Sequence, residues 1–166
     1  MSTASVVIRP ARSDDAQAIC DIYNEGIEDG DATLETRLRT SDEQRAWLES
    51  RSEGHPVVVA ERAGPVVGWG SLNRFNPRPA YDHVTEISGY VASSSRGTGV
   101  GRSLLENLVE SARVIGYHKM VLAAFDWNTA GVALYKRMGF RQVGIYREQG
   151  LLKGRWVDTV IMEKLL

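Results

Sequence analysis

The chain has 166 residues, of which 43% are hydrophobic and 25% are charged. These values are ordinary for a globular protein, and the length favours a single domain, residues 1–166, built around one hydrophobic core. The formal net charge of −1 gives no reason to expect nucleic acid as a partner.

The first residues, the lengths of the apolar runs and the cysteine content predict the cellular location. The first residues, MSTASVVIRPARSDDAQ, contain no apolar segment typical of a signal peptide, and no apolar run is long enough to cross a membrane. The single cysteine, Cys20, has no second cysteine for a disulfide and no neighbouring metal ligands. We therefore expect a buried, unreactive thiol, no metal, no membrane partner and a cytoplasmic location.

The apolar periodicity predicts strands and helices that alternate along the chain. In chain order, the predicted elements are strand 5–11, helix 14–29, helix 41–52, two strands within 56–73, strand 84–92, a helix that ends near residue 115, strand 119–125, helix 128–140, strand 141–152 and strand 155–166. Strand 119–125 (KMVLAAF) is uniformly apolar, which is typical of a strand buried on both faces. The order predicts an α/β fold of the α+β kind, with a mixed sheet and helices.

Polar residues mark the starts of three predicted helices. Asp14 with Gln17 and Thr40 with Glu43 have the spacing of capping boxes, in which side chain and backbone bond reciprocally. Asn128 stands where an N-cap would accept a hydrogen bond from the first turn of the last helix.

Glycines mark the tight turns and one helix end. Ala63-Gly64 and Lys153-Gly154 each separate two strand-like segments, which predicts two hairpins. Gly139 follows the last helix and is expected to end it.

The segment SSSRGTGVGR places Gly97, Gly99 and Gly101 where a helix begins, and this arrangement favours an anion site. A Walker phosphate loop is excluded, because its first glycine would fall on Arg96. The G-x-G-x-G spacing also fits a dinucleotide fingerprint poorly, because that motif reads G-x-G-x-x-G in an N-terminal βαβ unit. Considered alone, the glycines are also compatible with a tight turn that binds nothing.

Two motifs together resemble the GCN5-related N-acetyltransferases, the GNAT family. Arg96-x-x-Gly99-x-Gly101 after a strand matches the R/Q-x-x-G-x-G/A signature of that family. Residues 128–140, NTAGVALYKRMGF, resemble its N-x-x-A-x-x-L-Y-x-x-x-G-F segment. The resemblance covers essentially the whole chain and implies the GNAT fold, with about seven strands and helices on both faces of the sheet.

The resemblance implies acetyl-CoA as cosubstrate, with its pyrophosphate held by the amides of the glycine loop. It implies further that the strand with Gly89, Tyr90 and Val91 separates from its neighbour at a bulge. Its backbone would then bond the pantetheine arm, and an N–H near Val91 would polarise the thioester carbonyl. The residues implied for cofactor binding are Gly89, Tyr90, Val91, Arg96, Gly97, Thr98, Gly99, Val100, Gly101, Arg102 and Asn128.

Two residues are candidates for acid–base chemistry. From the residues alone, Glu86 is either a partly buried general base or a glutamate on a solvated strand face, and the resemblance favours the base. The resemblance places Tyr135 beside the sulfur, as the acid that protonates the leaving thiolate; the alternative is an ordinary half-buried tyrosine. Cys20 and Ser103 have no adjacent base, which favours direct attack by the amine in a ternary complex.

Three longer segments resemble the phosphinothricin acetyltransferase branch: IYNEGIEDGDATLET, NPRPAYDHVTEISGYV and LKGRWVDTVIMEK. This branch implies acetylation of the α-amino group of phosphinothricin, methionine sulfoximine, methionine sulfone or arsinothricin, and it implies a homodimer. The chain departs from the branch at Gly89, where many members have a larger apolar residue, and in the segment GIEDGDATLET.

A loop before the catalytic strand carries the candidate substrate residues Arg74, Arg78 and Tyr81. Arginine forks suit the anionic oxygens of such substrates, although loop arginines are commonly just solvated. Lys153 and Arg155 are candidates for a dimer seam.

Two other functions are compatible with the sequence. A GNAT enzyme acting on a protein N-terminus or ribosomal protein needs an open groove, whereas the short polar loop RFNPRPAYDH favours a small pocket. A non-catalytic acyl-CoA sensor would keep the fold without turnover, but the presence of both Glu86 and Tyr135 favours an enzyme.

Overall fold

The computed structural model describes residues 4–166, which form one seven-stranded sheet in the order β1-β2-β3-β4-β5-β7-β6. The strands are β1 Val6–Pro10, β2 Val57–Arg62, β3 Val66–Arg74, β4 Val84–Val91, β5 Lys119–Phe125, β6 Arg141–Leu152 and β7 Arg155–Leu165. The α-helices are α1 Ala16–Asp29, α2 Ser41–Glu49, α3 Val100–Ile115 and α4 Thr129–Arg137. Short 3-10 turns cover Ser13–Asp15, Pro79–Tyr81 and Ser93–Ser95.

The sheet is mixed, because β4 and β5 are parallel while the other neighbours are antiparallel. Helices cover both of its faces. Ile19 and Ile22 of α1 pack with Trp69 on one face, and the buried leucines of α3 pack with Leu72 and Met120 on the other, where α4 also lies. The predicted α/β fold, with about seven strands and helices on both faces, is therefore confirmed.

Both predicted hairpin turns form, and backbone conformation explains why these residues stand there. Ala63 and Gly64 have φ of 54° and 107°, and Lys153 and Gly154 have φ of 49° and 76°. Two consecutive residues with positive φ make the type of turn whose twist matches the flanking strands.

The capping box of α2 forms as predicted, whereas the one expected before α1 does not. Thr40 and Glu43 bond reciprocally at the start of α2. Before α1 it is Asp15, not Asp14, that accepts from a backbone N–H, that of Arg12 at 2.7 Å, while Gln17 bonds to a residue further along the helix. Asp15 is selected because the Arg9 guanidinium lies 2.8 Å from its carboxylate, a contact that the local pattern does not show.

The expectation that β5 is buried on both faces is wrong. Met120 and Leu122 are buried against α3, but Ala123 between Leu122 and Ala124 is exposed and Val121 is only partly buried. The strand therefore buries Met120 and Leu122 on one face and only Phe125 on the other.

Cys20 is buried, as predicted. Its residue is 2% exposed, and its thiol donates to the carbonyl oxygen of Arg39 at 3.2 Å. Burial raises the pKa of the thiol, which keeps it protonated and unreactive. In the part of the chain that the structure describes, no helix has the length and apolar character needed to cross a membrane.

Replacing Asp15 by asparagine is expected to lower the free energy of unfolding by about 2 kcal/mol at neutral pH, because hydrogen bonds to charged groups contribute about 1.5–3 kcal/mol. Arg9 keeps Glu61 as a partner at 2.7 Å, which limits the loss. Arg9 lowers the pKa of Asp15 below its ordinary 3.8, so this stabilisation is present above that value and disappears as the pH falls through the lowered pKa. Urea unfolding of both proteins at neutral and acidic pH measures this, and an equal difference at both pH values would contradict it.

Candidate functional site

The candidate site lies where β4 and β5 part. The two strands pair only at their starts, through Val84–Lys119, Thr85–Met120 and Glu86–Val121. Beyond Glu86 they diverge, so the predicted separation forms. The expected bulge does not, because β4 keeps an uninterrupted register with β3 from Thr85 to Val91.

The backbone of β4 directs alternate residues into this gap. The N–H of Ala92 donates to Val67 in the direction of β3, and backbone groups of an antiparallel strand alternate between its two sides. Tyr90 is therefore paired towards β3, while the N–H and C=O groups of Gly89 and Val91 face the gap. Of the three residues expected to offer backbone groups, Gly89 and Val91 do so, and Tyr90 contributes its ring instead.

A cavity of about 1030 Å³ lies at the gap and is bordered by residues from both faces of the sheet. On the α1 face it is bordered by Ile22, Gly26, Ser88 and Tyr90, and on the α3 and α4 face by Leu104, Leu105, Leu134 and Tyr135. Because its lining comes from both faces, the cavity has room for two reactants to meet between the parted strands.

The glycine loop borders one end of the cavity. Gly97 and Gly99 have φ of 73° and 91°, a region that favours glycine, and α3 begins directly after them. No side chain caps this helix start, so the N–H groups of Val100, Gly101 and Arg102 lack partners within the helix. Such groups at the positive end of a helix dipole form a site for an anion.

Three arginines also border the cavity. Arg96, Arg102 and Arg137 all border it, and Asp31 is the one acidic residue among the bordering residues within 4–166. Two of these arginines are also held by carboxylates: Arg96 lies 3.6 Å from Asp29, and Arg102 donates to Glu106 at 2.8 Å. The combination of N–H groups and cations suits a ligand with more than one phosphate.

Glu86 lies at the apex of the gap, at the last residue pair that joins β4 to β5. Alternation along β4 places its side chain on the α1 face with Ser88 and Tyr90, opposite Asn73 of β3. Glu86 is solvent-exposed. The protein around it still removes enough water from the carboxylate to raise its pKa above the ordinary 4.5. Glu86 does not border the cavity itself.

Tyr135 borders the cavity from the other face. It lies on α4, with its ring 6.0 Å from that of Phe140. Burial raises the pKa of the phenol, which keeps the O–H protonated at neutral pH. Asn128 caps α4 as predicted, accepting from the N–H of Gly131 at 3.1 Å, and it also borders the cavity.

Most residues predicted for the cofactor border this one cavity: Gly89, Tyr90, Val91, Arg96, Gly97, Gly99, Gly101, Arg102 and Asn128. Thr98 and Val100 do not. The Val100 side chain is 1% exposed within the core, which leaves its N–H as the group that the anion site can use. The Thr98 side chain points instead to Arg62.

The predicted substrate residues lie elsewhere, in and beside the loop that joins β3 to β4. Arg74 donates to the carbonyl oxygen of Pro77 at 3.2 Å, Arg78 is exposed, and the ring of Tyr81 packs at a tilt against that of Phe75, with the ring centres 5.5 Å apart. None of the three borders the cavity. Arg74 is paired with Thr85 in the register, so this loop is close to the Glu86 end of β4 and far from the glycine loop.

The sequence analysis missed the wall contributed by α1 and the loop after it. Ile22, Gly26, Asp31 and Ala32 border the cavity there. The one local signal was Gly26 inside a helix, since a Cβ at this position would lie 3.2 Å from the Cβ of Ala32. Among residues 4–166, no group of three or more metal-ligating side chains is arranged to hold a metal ion.

Sequence comparison agrees with the geometry. The family model described as an acetyltransferase (GNAT) domain matches residues 8–161. A phosphinothricin N-acetyltransferase of Alcaligenes faecalis is 33% identical over 100% of this chain and 85% of its own. An L-methionine sulfoximine/L-methionine sulfone acetyltransferase of Pseudomonas paraeruginosa is 36% identical over 96% of this chain and 94% of its own.

Solved structures share the fold. A ribosomal-protein-alanine N-acetyltransferase of Brucella melitensis superposes with a TM-score of 0.93 at 39% identity, covering 96% of this chain and 99% of its own. The yncA protein of Salmonella typhimurium, solved with its cofactor acetyl-CoA, gives 0.94 at 33% identity, covering 98% and 95%. With a family match over nearly its full length, this chain belongs to the GNAT family and is an N-acetyltransferase that uses acetyl-CoA.

Proposed function

We propose that this enzyme acetylates the α-amino group of a small amino acid or analogue, of the phosphinothricin, methionine sulfoximine, methionine sulfone or arsinothricin type. The names of the relatives from Alcaligenes and Pseudomonas support this class. The observation that carries the proposal is the gap between β4 and β5, which holds a cavity with an anion site at one end and has the desolvated carboxylate of Glu86 at its apex.

The residues present fit acetyl-CoA. The unpartnered N–H groups at the start of α3, with Arg96 and Arg102, suit the diphosphate, and the gap-facing groups of Gly89 and Val91 suit the amides of the pantetheine arm. Bound there, acetyl-CoA supplies an activated thioester carbonyl. The N–H of Val91, which faces the gap, would stabilise negative charge on that carbonyl oxygen.

The two catalytic groups divide the proton transfers. Glu86, on the α1 face, accepts the proton that the substrate ammonium must lose before its nitrogen can attack. The new bond joins this nitrogen to the acyl carbon while the carbon–sulfur bond breaks, in a direct transfer without an acyl-enzyme. Tyr135, on the opposite face, donates its phenolic proton to the departing sulfur. The nitrogen loses its second proton as the amide forms, and this proton restores the phenol of Tyr135 by way of solvent.

The substrate is expected to enter from the α1 face, where Glu86 lies. Arg74, Arg78 and Tyr81 stand at the Glu86 end of β4, and we propose that they meet the carboxylate and the second polar group of the substrate. Asp31 and Ala32 border the cavity on the same side.

A thiol-release assay with acetyl-CoA over a panel of amino acids and their sulfone, sulfoximine and phosphinate analogues tests this proposal. Rapid release with these analogues supports it. The Brucella structure suggests a second candidate, a ribosomal-protein amine, so the panel includes alanine-initiated ribosomal peptides. Acetylation of the peptides alone would overturn the choice of substrate. If none of the amines in the panel led to thiol release, a non-catalytic acyl-CoA sensor would be favoured.

Replacing Tyr135 by phenylalanine is expected to lower kcat roughly 10²-fold, because a positioned general acid contributes about 10²–10⁴-fold. The ring and its packing against Phe140 remain, so the KM for acetyl-CoA and the melting temperature should stay unchanged. Steady-state thiol release measures both constants. An unchanged kcat would show that Tyr135 packs in the site without acting as the general acid.

We also propose that the protein is a homodimer whose interface includes β6 and β7. The edge strand β6 and the start of β7 expose large apolar side chains, among them Val143 (51%), Tyr146 (55%), Leu151 (52%) and Trp156 (64%). Edge strands with such side chains associate readily, and Lys153 and Arg155 lie at the tip of the same hairpin. Light scattering of the purified protein measures the mass, and a monomer at micromolar concentration would contradict this interface.

A further inference from the structure

The side chain of Arg62 links the glycine loop to strand β2 of the sheet. Its Nη1 donates to Oγ1 of Thr98 at 2.7 Å, and its Nη2 donates to the carbonyl oxygen of Thr98 at 2.9 Å. Arg62 is the last residue of β2, and its own N–H is fixed by Pro65 across the hairpin turn at 3.1 Å. A planar fork on two acceptors of one residue holds that residue in both position and orientation.

Thr98 links Arg62 to the anion site. It lies between Gly97 and Gly99, the two positions of the loop with positive φ. Glycine is the most freely moving residue in a chain, so a loop built this way has many alternative conformations unless something selects one. The Thr98 hydroxyl also donates to the carbonyl oxygen of Ser95 at 2.5 Å, which ties the loop to the preceding turn.

Neither Arg62 nor Thr98 borders the cavity. Both terminal nitrogens of Arg62 are engaged by Thr98, so its effect on a ligand passes through the loop. The residues that follow Thr98 carry the unpartnered N–H groups at the start of α3. Their directions are set by the loop conformation that the Arg62 fork selects.

We propose that Arg62 is a positioning residue that acts through Thr98 to preset the glycine loop for the diphosphate of acetyl-CoA. The proposal rests on the function proposed above, because it takes acetyl-CoA as the ligand of this loop. Presetting a binding loop improves affinity by removing the cost of ordering it when the ligand arrives. Arg62 therefore governs the binding of the cosubstrate and leaves the chemical step unchanged.

A competing explanation is that the charge of Arg62 simply attracts the anionic cosubstrate. The variants Arg62→Lys and Arg62→Ala separate the two, because lysine keeps the charge but cannot bridge two acceptors of Thr98. Thr98→Val removes the hydroxyl and keeps the side-chain shape. Arg113→Ala is the matched control, since it removes an exposed arginine near the far end of α3.

Titration calorimetry with coenzyme A and steady-state kinetics test the proposal. Arg62→Ala should raise the Kd and the KM for acetyl-CoA roughly tenfold, with kcat at saturation within about twofold, because hydrogen bonds from a charged donor are lost. Arg62→Lys should behave like Arg62→Ala. The loss of affinity in the double variant of Arg62→Ala with Thr98→Val should be smaller than the sum of the two single losses, because both changes break the bond between Arg62 and the Thr98 hydroxyl. Arg113→Ala should match the wild type.

Hydrogen exchange of the unliganded protein gives a readout that is independent of turnover. The hydrogen-bonded amides that flank the loop, those of Arg96 and Ser103, should exchange faster in Arg62→Ala than in the wild type, while those of the sheet core remain protected. Wild-type affinity from Arg62→Lys, additive losses in the double variant, or unchanged exchange would each overturn the positioning role. Failure of the wild type itself to bind coenzyme A would instead refute the proposed function.

Discussion

Replacing Glu86 by glutamine is expected to lower kcat/KM by roughly 10²–10⁴-fold, the usual contribution of a positioned general base. Glutamine has nearly the same shape and cannot accept a proton from the substrate ammonium. The carboxylate lies at the last β4–β5 residue pair, where the gap begins, and its loss leaves the glycine loop and Tyr135 intact. Binding of coenzyme A should therefore stay at the wild-type level.

The role of Glu86 as a base also predicts the direction in which kcat/KM changes with pH. Desolvation raises the pKa of Glu86 above the ordinary 4.5, and the residue acts as a base only when it is ionised. In the wild type, kcat/KM should rise with pH through that raised pKa. In Glu86→Gln this rise should be absent, leaving the dependence on ionisation of the substrate amine.

Thiol release measured across the acidic and neutral range provides the test. Glu110→Gln is a suitable control, because Glu110 is exposed on α3 and contacts Arg113 at 3.8 Å. Its profile should match that of the wild type. Full activity of Glu86→Gln at every pH would show that another group, or solvent, removes the proton.

Glu86 and Tyr135 lie on opposite faces of one sheet, and this separation has a chemical use. The base needs access to an incoming amine, whereas the acid needs to reach the leaving sulfur, and the two events occur on opposite sides of the carbonyl carbon. A continuous sheet would keep the groups apart. The divergence of β4 and β5 opens the passage through which both can act on one carbon.

The local elements of the fold were predictable because their causes are local. The turns at Ala63-Gly64 and Lys153-Gly154 form where the sequence offers residues that adopt positive φ. The Asn128 cap is likewise set by neighbours within one helical turn. The predicted cap of α1 failed because Arg9, on another element, selects Asp15.

The site was predictable where it follows the chain and unpredictable where it depends on packing. The glycine loop and the start of α3 are contiguous, so their motif marks them. The wall formed by Ile22 and Ala32 comes from α1 and the loop after it, which approach β4 only in the folded protein. Likewise, which backbone groups of β4 face the gap depends on its register with β3, and this is why Tyr90 was assigned a backbone role that its pairing excludes.

Replacing Gly99 by valine is expected to weaken binding of coenzyme A roughly 10²-fold. Gly99 has φ of 91°, and a Cβ there would meet nothing within 4 Å, so the obstacle is backbone strain and not a clash. A left-handed conformation costs an L-residue about 1–2 kcal/mol, and more for a β-branched one. The variant relieves this strain by turning the peptide, which redirects the N–H groups at the start of α3 away from the anion.

Gly116→Val is the matched control for strain. Gly116 ends α3 with φ of 104°, and a Cβ there also meets nothing within 4 Å. Both variants should lose comparable stability in thermal unfolding, but only Gly99→Val should lose affinity for coenzyme A in calorimetry. Equal binding by the two variants would mean that the left-handed turn at Gly99 shapes the loop without holding a diphosphate, and the acetyl-CoA site would have to lie elsewhere along the cavity.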